Sequence, residues 1–302
     1  PGSRAGLRAG DQIIEIDGNP TRELDLRETV QLLKGPPGTK VDITIYRPET
    51  DMTKTVTIER EMIPVRSVKD AQLIKDRIGY VRIVQFNEPT PEKLGEALHE
   101  LKDKNIEALV LDVRNNPGGL LQAAVDTCSF FLPSNKLVVL TKGRSQSESR
   151  EFQTSGKWKL PDIPVAILVN GGSASAAEIV AGCLQDWGRA VLIGETTFGK
   201  GSVQNVIELP DGSALRLTTA MYYTPSKKVI HENGIEPDIV VDMNEAELQE
   251  LINEQRGTGE NGDTLFIDKQ LQRAIEVLQS YDVYQKAKKR GFRDLHSEAG
   301  EE

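Results

Sequence analysis

Cysteine is scarce: Cys128 and Cys183 are the only two in 302 residues. That excludes a disulfide-stapled scaffold and a four-thiolate zinc site. Each lies in an apolar helical stretch, where a buried free thiol is the ordinary outcome. Histidine is hardly commoner. His99, His231 and His296 are far apart and outside any metal-ligand spacing, which narrows the catalytic chemistries open to the chain. Long apolar runs are missing too. Stretches such as Val165 to Val169 are far too short to span a bilayer. There is no basic surplus either: 37 Lys and Arg stand against 46 Asp and Glu, net −9, with no basic block. Nucleic acid and anionic membrane are therefore not the expected partners. The chain opens on Pro1-Gly2-Ser3-Arg4 with neither an initiator Met nor a charged-then-apolar leader. It reads as a fragment or processed form whose destination is not encoded here.

Hydrophobic residues make up 38% and charged residues 27%, enough apolar material for a sizeable core. At roughly 150 residues per domain, two domains are expected. Residues 1–62 read as a small unit. Asp11 to Asn19 is a short strand ending in an Asp-Gly turn, and Leu26, Val30 and Leu33 recur at helical spacing before Lys34-Gly35-Pro36-Pro37-Gly38 stops the helix. Val41 to Tyr46 and Thr55 to Ile58 alternate as half-buried strands, and Arg60 to Asp70 serves as a connector.

From about residue 76 strands alternate with helices: Gly79–Phe86, then a helix over Thr90–Asp103, a buried strand Ile106–Val113, a helix to about Phe131, and a strand Lys136–Leu140. Residues 143–161 are polar and read as a surface excursion. Val165–Val169, a helix from about Ser175, and Ala190–Ile193 repeat the theme. Such alternation predicts an α/β fold with substantial parallel sheet, whose ligands bind beyond the carboxyl ends of the strands. Charged helices follow around Glu245–Gln255 and Asp268–Lys289, joined by a Gly-rich linker near 257–262, and the tail beyond Arg293 is polar.

Three turns can carry chemistry. In Asn170-Gly171-Gly172-Ser173-Ala174-Ser175-Ala176-Ala177-Glu178 an apolar strand enters two glycines and then a helix. That exposes a hydroxyl and lets a substrate carbonyl approach backbone N–H groups. Serine at a helix start is usually just an N-cap. Ser173 suits that role, but two serines within three residues leave one to spare. Gly194 to Gln204 nearly spells G-x-x-x-x-G-K-[ST], but Gly201 stands where the magnesium-binding hydroxyl belongs, and the following residues, 202–209, alternate like a strand. A phosphate cradle loses its donors without a helix there. The segment makes better sense as a base. Lys200 and Gln204 share a face of an extended chain, a Gln carbonyl can orient a neutral amine, and burial would pull a lysine towards neutrality. An isolated lysine in a glycine-rich loop is ordinarily solvated. The third turn, Asp112-Val113-Arg114-Asn115-Asn116-Pro117-Gly118-Gly119, offers glycine N–H groups, though Pro-Gly punctuation is common in βα turns.

Together these segments resemble the carboxyl-terminal processing peptidases, or tail-specific proteases, of the Ser–Lys type, in order along nearly the whole chain. Arg4 to Ile14 is similar to the later part of a PDZ domain, and Tyr222-Tyr223-Thr224-Pro225-Ser226 with Gly234-Ile235-Glu236-Pro237-Asp238 matches the family's downstream strands. The resemblance implies an α/β protease core of mixed sheet, crotonase/Clp-like, over 63–242. A PDZ domain truncated at its N-terminus precedes it over 1–62, and a C-terminal helical region follows over 243–302. It implies Ser175 as nucleophile, Lys200 as general base, Gln204 as its orienting partner, Ala176 with Gly118 or Gly119 as oxyanion donors, and Glu178 in support. No cofactor or metal is called for. The resemblance further implies protein or peptide substrates with apolar C-termini, bound by strand addition. It also implies a periplasmic or other extracytoplasmic setting, and allows a homo-oligomer or an adaptor protein as partner. The carboxylate-capturing PDZ loop would lie upstream of Pro1. A catalytically inactive PDZ-containing peptide-binding scaffold and an α/β nucleotide hydrolase are the rival readings. A serine-directed acylating probe and a nucleotide-binding assay separate them.

Overall fold

A computed structural model describes residues 1–283 except 9, 63–65, 76, 145–148, 157–161, 210–212, 257–267 and 282. The linker expected near 257–262, the helix expected beyond 283 and the tail lie outside the described residues. The chain divides into two compact units, residues 1–65 with 255–260, and the remainder from 66 onward.

In the first unit β1 (Gln12–Ile16), β2 (Asn19–Pro20), β3 (Lys40–Arg47) and β4 (Met52–Glu59) form an antiparallel sheet in the order β2-β1-β3-β4. The Asp17-Gly18 turn between β1 and β2 has φ of +47° and +80°, the left-handed pair that tight hairpins need. Helix α1 (Leu26–Leu33) starts in a reciprocal cap between Asp25 and Glu28. Alternate residues Val41, Ile43 and Ile45 of β3 face the core with Ile16, Val56 and Ile58. Leu26 does not join them: it is 81% exposed, and Leu32 and Leu33 supply the apolar face of α1 instead. Asp11 receives two bonds from the Arg47 guanidinium, at 2.6 and 2.8 Å.

The second unit contains β5 (Val68–Lys75), β6 (Ile78–Ile83), α2 (Thr90–Asp103), β7 (Ala108–Asp112), α3 (Leu121–Cys128), β8 (Leu137–Gly143), β9 (Arg150–Gln153), β10 (Val165–Val169), α4 (Ala176–Asp186), β11 (Val191–Gly194), β12 (Ser202–Glu208), β13 (Ala214–Tyr223), β14 (Ile239–Val240) and α5 (Glu245–Arg256), with a last helix, α6, over 269–281. The main sheet runs β14-β11-β10-β7-β6-β5, parallel except for β5. From β6 to β14 each new strand is added on the same side of the last. With right-handed crossovers, winding in one direction puts every connecting helix on one face. The packing agrees: α2, α3 and α4 cover Val81, Leu111, Ile167 and Leu192. The opposite face, Tyr80, Val110, Ala166, Leu168 and Ile193, packs against Ala274, Ile275 and Leu278 of α6. The C-terminal helix is thus the third layer of this core, not an appendage to it. A second, antiparallel sheet runs β12-β13-β8-β9.

Strands β5 and β9 fall where the sequence reads as non-strand. The connector expected up to Asp70 gives way to β5, which pairs with β6. The excursion expected over 143–161 contains β9, whose Phe152 pairs with Val139 and packs against the core. Both are edge strands carrying many exposed polar side chains, so a hydrophobic-run criterion passes over them.

Candidate active site

Three neighbouring parallel strands, β7, β10 and β11, send their carboxyl ends into the three turns singled out above. Strand β10 is buried throughout and ends at Val169, and Asn170 opens the turn. The chain reverses and enters α4 at Ser175, whose φ of +56° and ψ of −112° lie outside the regions open to a side-chain-bearing residue. Such backbone costs on the order of 1–3 kcal/mol and persists only where its surroundings over-determine it.

The surroundings do so. Asn170 Oδ1 accepts from Asn115 N and Gly172 N at 2.9 and 3.0 Å, and Asn170 Nδ2 donates to Asn115 Oδ1. Ser173 is fully buried, and its hydroxyl donates to Val113 O at 2.8 Å while receiving Asn170 N. Ser173 is therefore no N-cap: it staples the turn to the end of β7, and the cap position belongs to Ser175. Ala174 N donates to Asn116 O.

The glycine turn lies directly against the serine. A Cβ on Gly118 would come within 2.7 Å of Ser175 Cβ and 2.9 Å of Ala176 N, and one on Gly119 within 1.9 Å of Phe86 O. Both residues have positive φ, +94° and +144°, so no other residue fits without moving the backbone. Gly118 N is already committed to Asn116 Oδ1 at 2.8 Å, and Gly118 O accepts from Phe86 N. In a trans peptide the N–H points opposite to the preceding C=O, so Gly119 N–H is aimed away from Phe86. Ala176 N is the first N–H of α4 and has no intrahelical acceptor.

Glu178 ties the serine to the lysine segment. Its carboxylate is fully buried. Oε2 accepts from Ser175 N at 2.7 Å and Lys200 N at 2.9 Å, while Oε1 accepts from Thr197 Oγ1 at 2.6 Å and Gly199 N at 2.7 Å. Thr197 Oγ1 in turn accepts from Ile235 N, and Phe198 N donates to Ser173 O. The backbones of Ser175 and Lys200 therefore share one oxygen atom.

Their side chains are not joined. Lys200 is exposed, not buried, and no hydrogen bond among the described residues links its Nζ to Ser175 Oγ. Gln204 is exposed as well. The extended chain expected from Lys200 to Gln204 begins only at Ser202, and a register shift between Val203 and Gln204 interrupts it. Simple alternation accordingly does not set which way these two side chains face.

A buried ion network stands behind the glycine turn. Asp112, at the end of β7, is fully buried and accepts from Tyr80 Oη at 2.7 Å and from Arg114 N, Nε and Nη2. Burial alone would raise its carboxyl, but the Arg114 charge and hydrogen bonds outweigh that and hold it below the ordinary value. Burial, then the Asp112 charge, push the Tyr80 phenol up. Sequence reasoning gives no role to Asn170, Thr197 or this network. The one signal was a pair of opposite charges, Asp112 and Arg114, closing a wholly apolar strand, a place where charges survive only when paired.

A strained serine at a strand-to-helix turn of a largely parallel α/β core, in a chain that also holds a small antiparallel unit, defines the class of fold. Comparison with known proteins narrows it. Residues 77–241 match the model of peptidase family S41, and residues 1–47 match that of the PDZ domain. The chain belongs to peptidase family S41 and carries a PDZ domain. It is 44% identical over 251 residues to the carboxy-terminal-processing protease of Bartonella bacilliformis, covering 80% of this chain and 56% of that protein. Against the carboxyl-terminal-processing protease of Synechocystis sp. it is 41% identical over 246 residues, 80% and 57% of the two chains. Among solved structures, the photosystem II D1 C-terminal processing protease is similar with a TM-score of 0.53 at 33% identity, over 80% of this chain and 65% of that one. The chain spans a little over half the length of these curated relatives.

Proposed function

We propose that the chain is the working part of a serine endopeptidase that cuts protein substrates near their C-termini. Ser175 is the nucleophile, Lys200 the general base and Gln204 its orienting partner. Ala176 N–H and Gly119 N–H are the oxyanion donors, with Gly118 holding the turn against the serine. The observation that carries this reading is the strained Ser175 at the head of α4, backed by the glycine turn and bound through Glu178 to the Lys200 loop.

Neutral Lys200 Nζ takes the Ser175 proton as Oγ bonds to the scissile carbonyl carbon, and the carbonyl oxygen becomes an oxyanion held by the two N–H groups. As the C–N bond breaks, Lys200 returns the proton to the leaving amine. Water, deprotonated by the same lysine, then releases the acyl group. A substrate seated beside the turn as an added strand covers the exposed Lys200 and supplies the desolvation that a neutral amine needs. The PDZ unit is the recognition module for apolar substrate tails, and the setting is periplasmic or otherwise extracytoplasmic, as in the family the chain resembles. No described helix is long and apolar enough to cross a membrane.

Ser175→Ala and Lys200→Ala are each expected to lower peptide cleavage by at least about a thousandfold with the circular dichroism spectrum unchanged. Full activity in folded Lys200→Ala would sink the mechanism. The exposed lysine favours one rival, a peptide-binding scaffold without catalysis. Labelling of Ser175 by an acylating probe in the presence of substrate-like peptide decides against it.

A further inference from the structure

We propose that Asp268, at the start of α6, is a positioning residue for the oxyanion turn, acting through Arg114. The proposal rests on the peptidase reading above. It concerns a residue beyond the 77–241 segment that matches the family model.

Arg114 is the largest of the fully buried side chains in the second unit. A guanidinium has five N–H donors in a rigid plane, and here each has an acceptor. Nε and one hydrogen of Nη2 go to Asp112. The second hydrogen of Nη2 goes to Asp268 Oδ2 at 2.7 Å. Nη1 goes to Asp268 Oδ1 at 2.9 Å and Gln270 Oε1 at 3.1 Å. Three of the five bonds thus end on α6. Asp268 also accepts from Leu271 N at 3.0 Å, capping the helix whose apolar face covers the sheet. Burial works against the Arg114 charge, yet Asp112 and Asp268 raise its pKa well above the ordinary value, so it stays a cation.

What Arg114 holds is the root of the glycine turn. Its own N–H is bonded to Asp112 at 2.9 Å. The next residue, Asn115, is in the left-handed region and donates to Asn170 of the serine turn. Asn116 takes Gly118 N, and Gly119 follows. Without the Asp268 carboxylate, a buried cation keeps only part of its partners and must find others among nearby backbone carbonyls. The turn that runs on to Gly119 starts at Arg114 itself, so it moves with that side chain, and a shift of about 1 Å in an oxyanion donor is enough to lower a rate by about a hundredfold.

The oxyanion exists only in the transition state. Asp268→Asn is therefore expected to lower kcat by about tenfold or more with KM little changed. It should also speed amide exchange at Asn115, Gly118 and Leu120, whose N–H groups are bonded within or beside the turn. Ile275→Ala, which weakens α6 packing away from Arg114, is the control: its melting temperature falls, while kcat and exchange in the turn stay at wild-type values. If Asp268→Asn does not fold, Gln270→Glu, which keeps an acceptor for Arg114 and loses the donor to Val241 O, and Gln270→Met, which loses both, are compared: only Gln270→Met is expected to give a smaller effect of the same form. Wild-type kcat and exchange in the folded variant, or equal losses in Ile275→Ala, would overturn the proposal. The exchange measurement does not depend on activity, so an inactive wild-type protein would refute the peptidase reading while leaving the Asp268 coupling open to this test.

Discussion

At the scale of single residues, Glu178 shows how much one buried carboxylate can organise. It receives four donors from four different residues, and an amide in its place must turn an NH2 towards N–H groups that need an acceptor. Glu178→Gln is therefore expected to destabilise the second unit by about 2–4 kcal/mol, read as a lower urea midpoint, and to lower cleavage by more than a hundredfold. Retention of both would show that the turn holds its geometry without the charge. Cys128 and Cys183 were readable as buried free thiols, and both are. Burial, then the Cys183 contact, push the Cys128 thiol well up, so neither is expected to react with iodoacetamide at neutral pH until the protein is unfolded, as mass spectrometry of the intact chain would show.

At the scale of elements, α6 and the first sheet make separate demands. Leu278 of α6 is buried on the sheet face opposite α2, α3 and α4. Leu278→Ala is expected to cost about 2–5 kcal/mol of unfolding free energy, measured by urea denaturation. In the first sheet, hydrogen bonds from Arg47, ahead of the opposing effect of burial, pull the Asp11 carboxyl from 3.8 to about 2. A carboxyl lowered on folding stabilises fully above its unfolded value and loses that contribution as pH falls through the folded one. Protection of the β1 and β3 amides, taken relative to their intrinsic exchange rates, is therefore expected to hold steady down to about pH 4 and to fall between 3.8 and about 2. In Asp11→Asn that pH step should disappear. Equal acid sensitivity in the variant would assign it to other carboxylates.

At the scale of the whole molecule, the proposed function gives recognition to the first unit and cleavage to the second, and its prediction concerns where cuts fall. Incubation with a protein ending in an apolar tail is expected to yield products shortened from the C-terminus, identified by mass spectrometry. Blocking that tail with added charged residues should slow the reaction. Cuts scattered evenly along the substrate would contradict a tail-directed endopeptidase.

Much of this was readable in the chain because it depends on local patterns. The strands Val165–Val169 and Ala108–Asp112, the helix Thr90–Asp103 and the three turns follow from hydrophobic period and glycine placement, which neighbouring residues suffice to set. The scarcity of histidine fits the lysine base that the family resemblance implies, and the roles given to the serine and glycine turns come from that resemblance as well. Tertiary structure decided what depends on contacts between residues far apart in sequence. It gave Ser173 to a staple on Val113 and Ser175 to the helix head, committed Gly118 N to Asn116 and left Gly119 N free to donate, and left Lys200 exposed. It also brought Asp268 across 154 residues to Arg114, because a sheet wound in one direction has a bare face that only a later helix can cover.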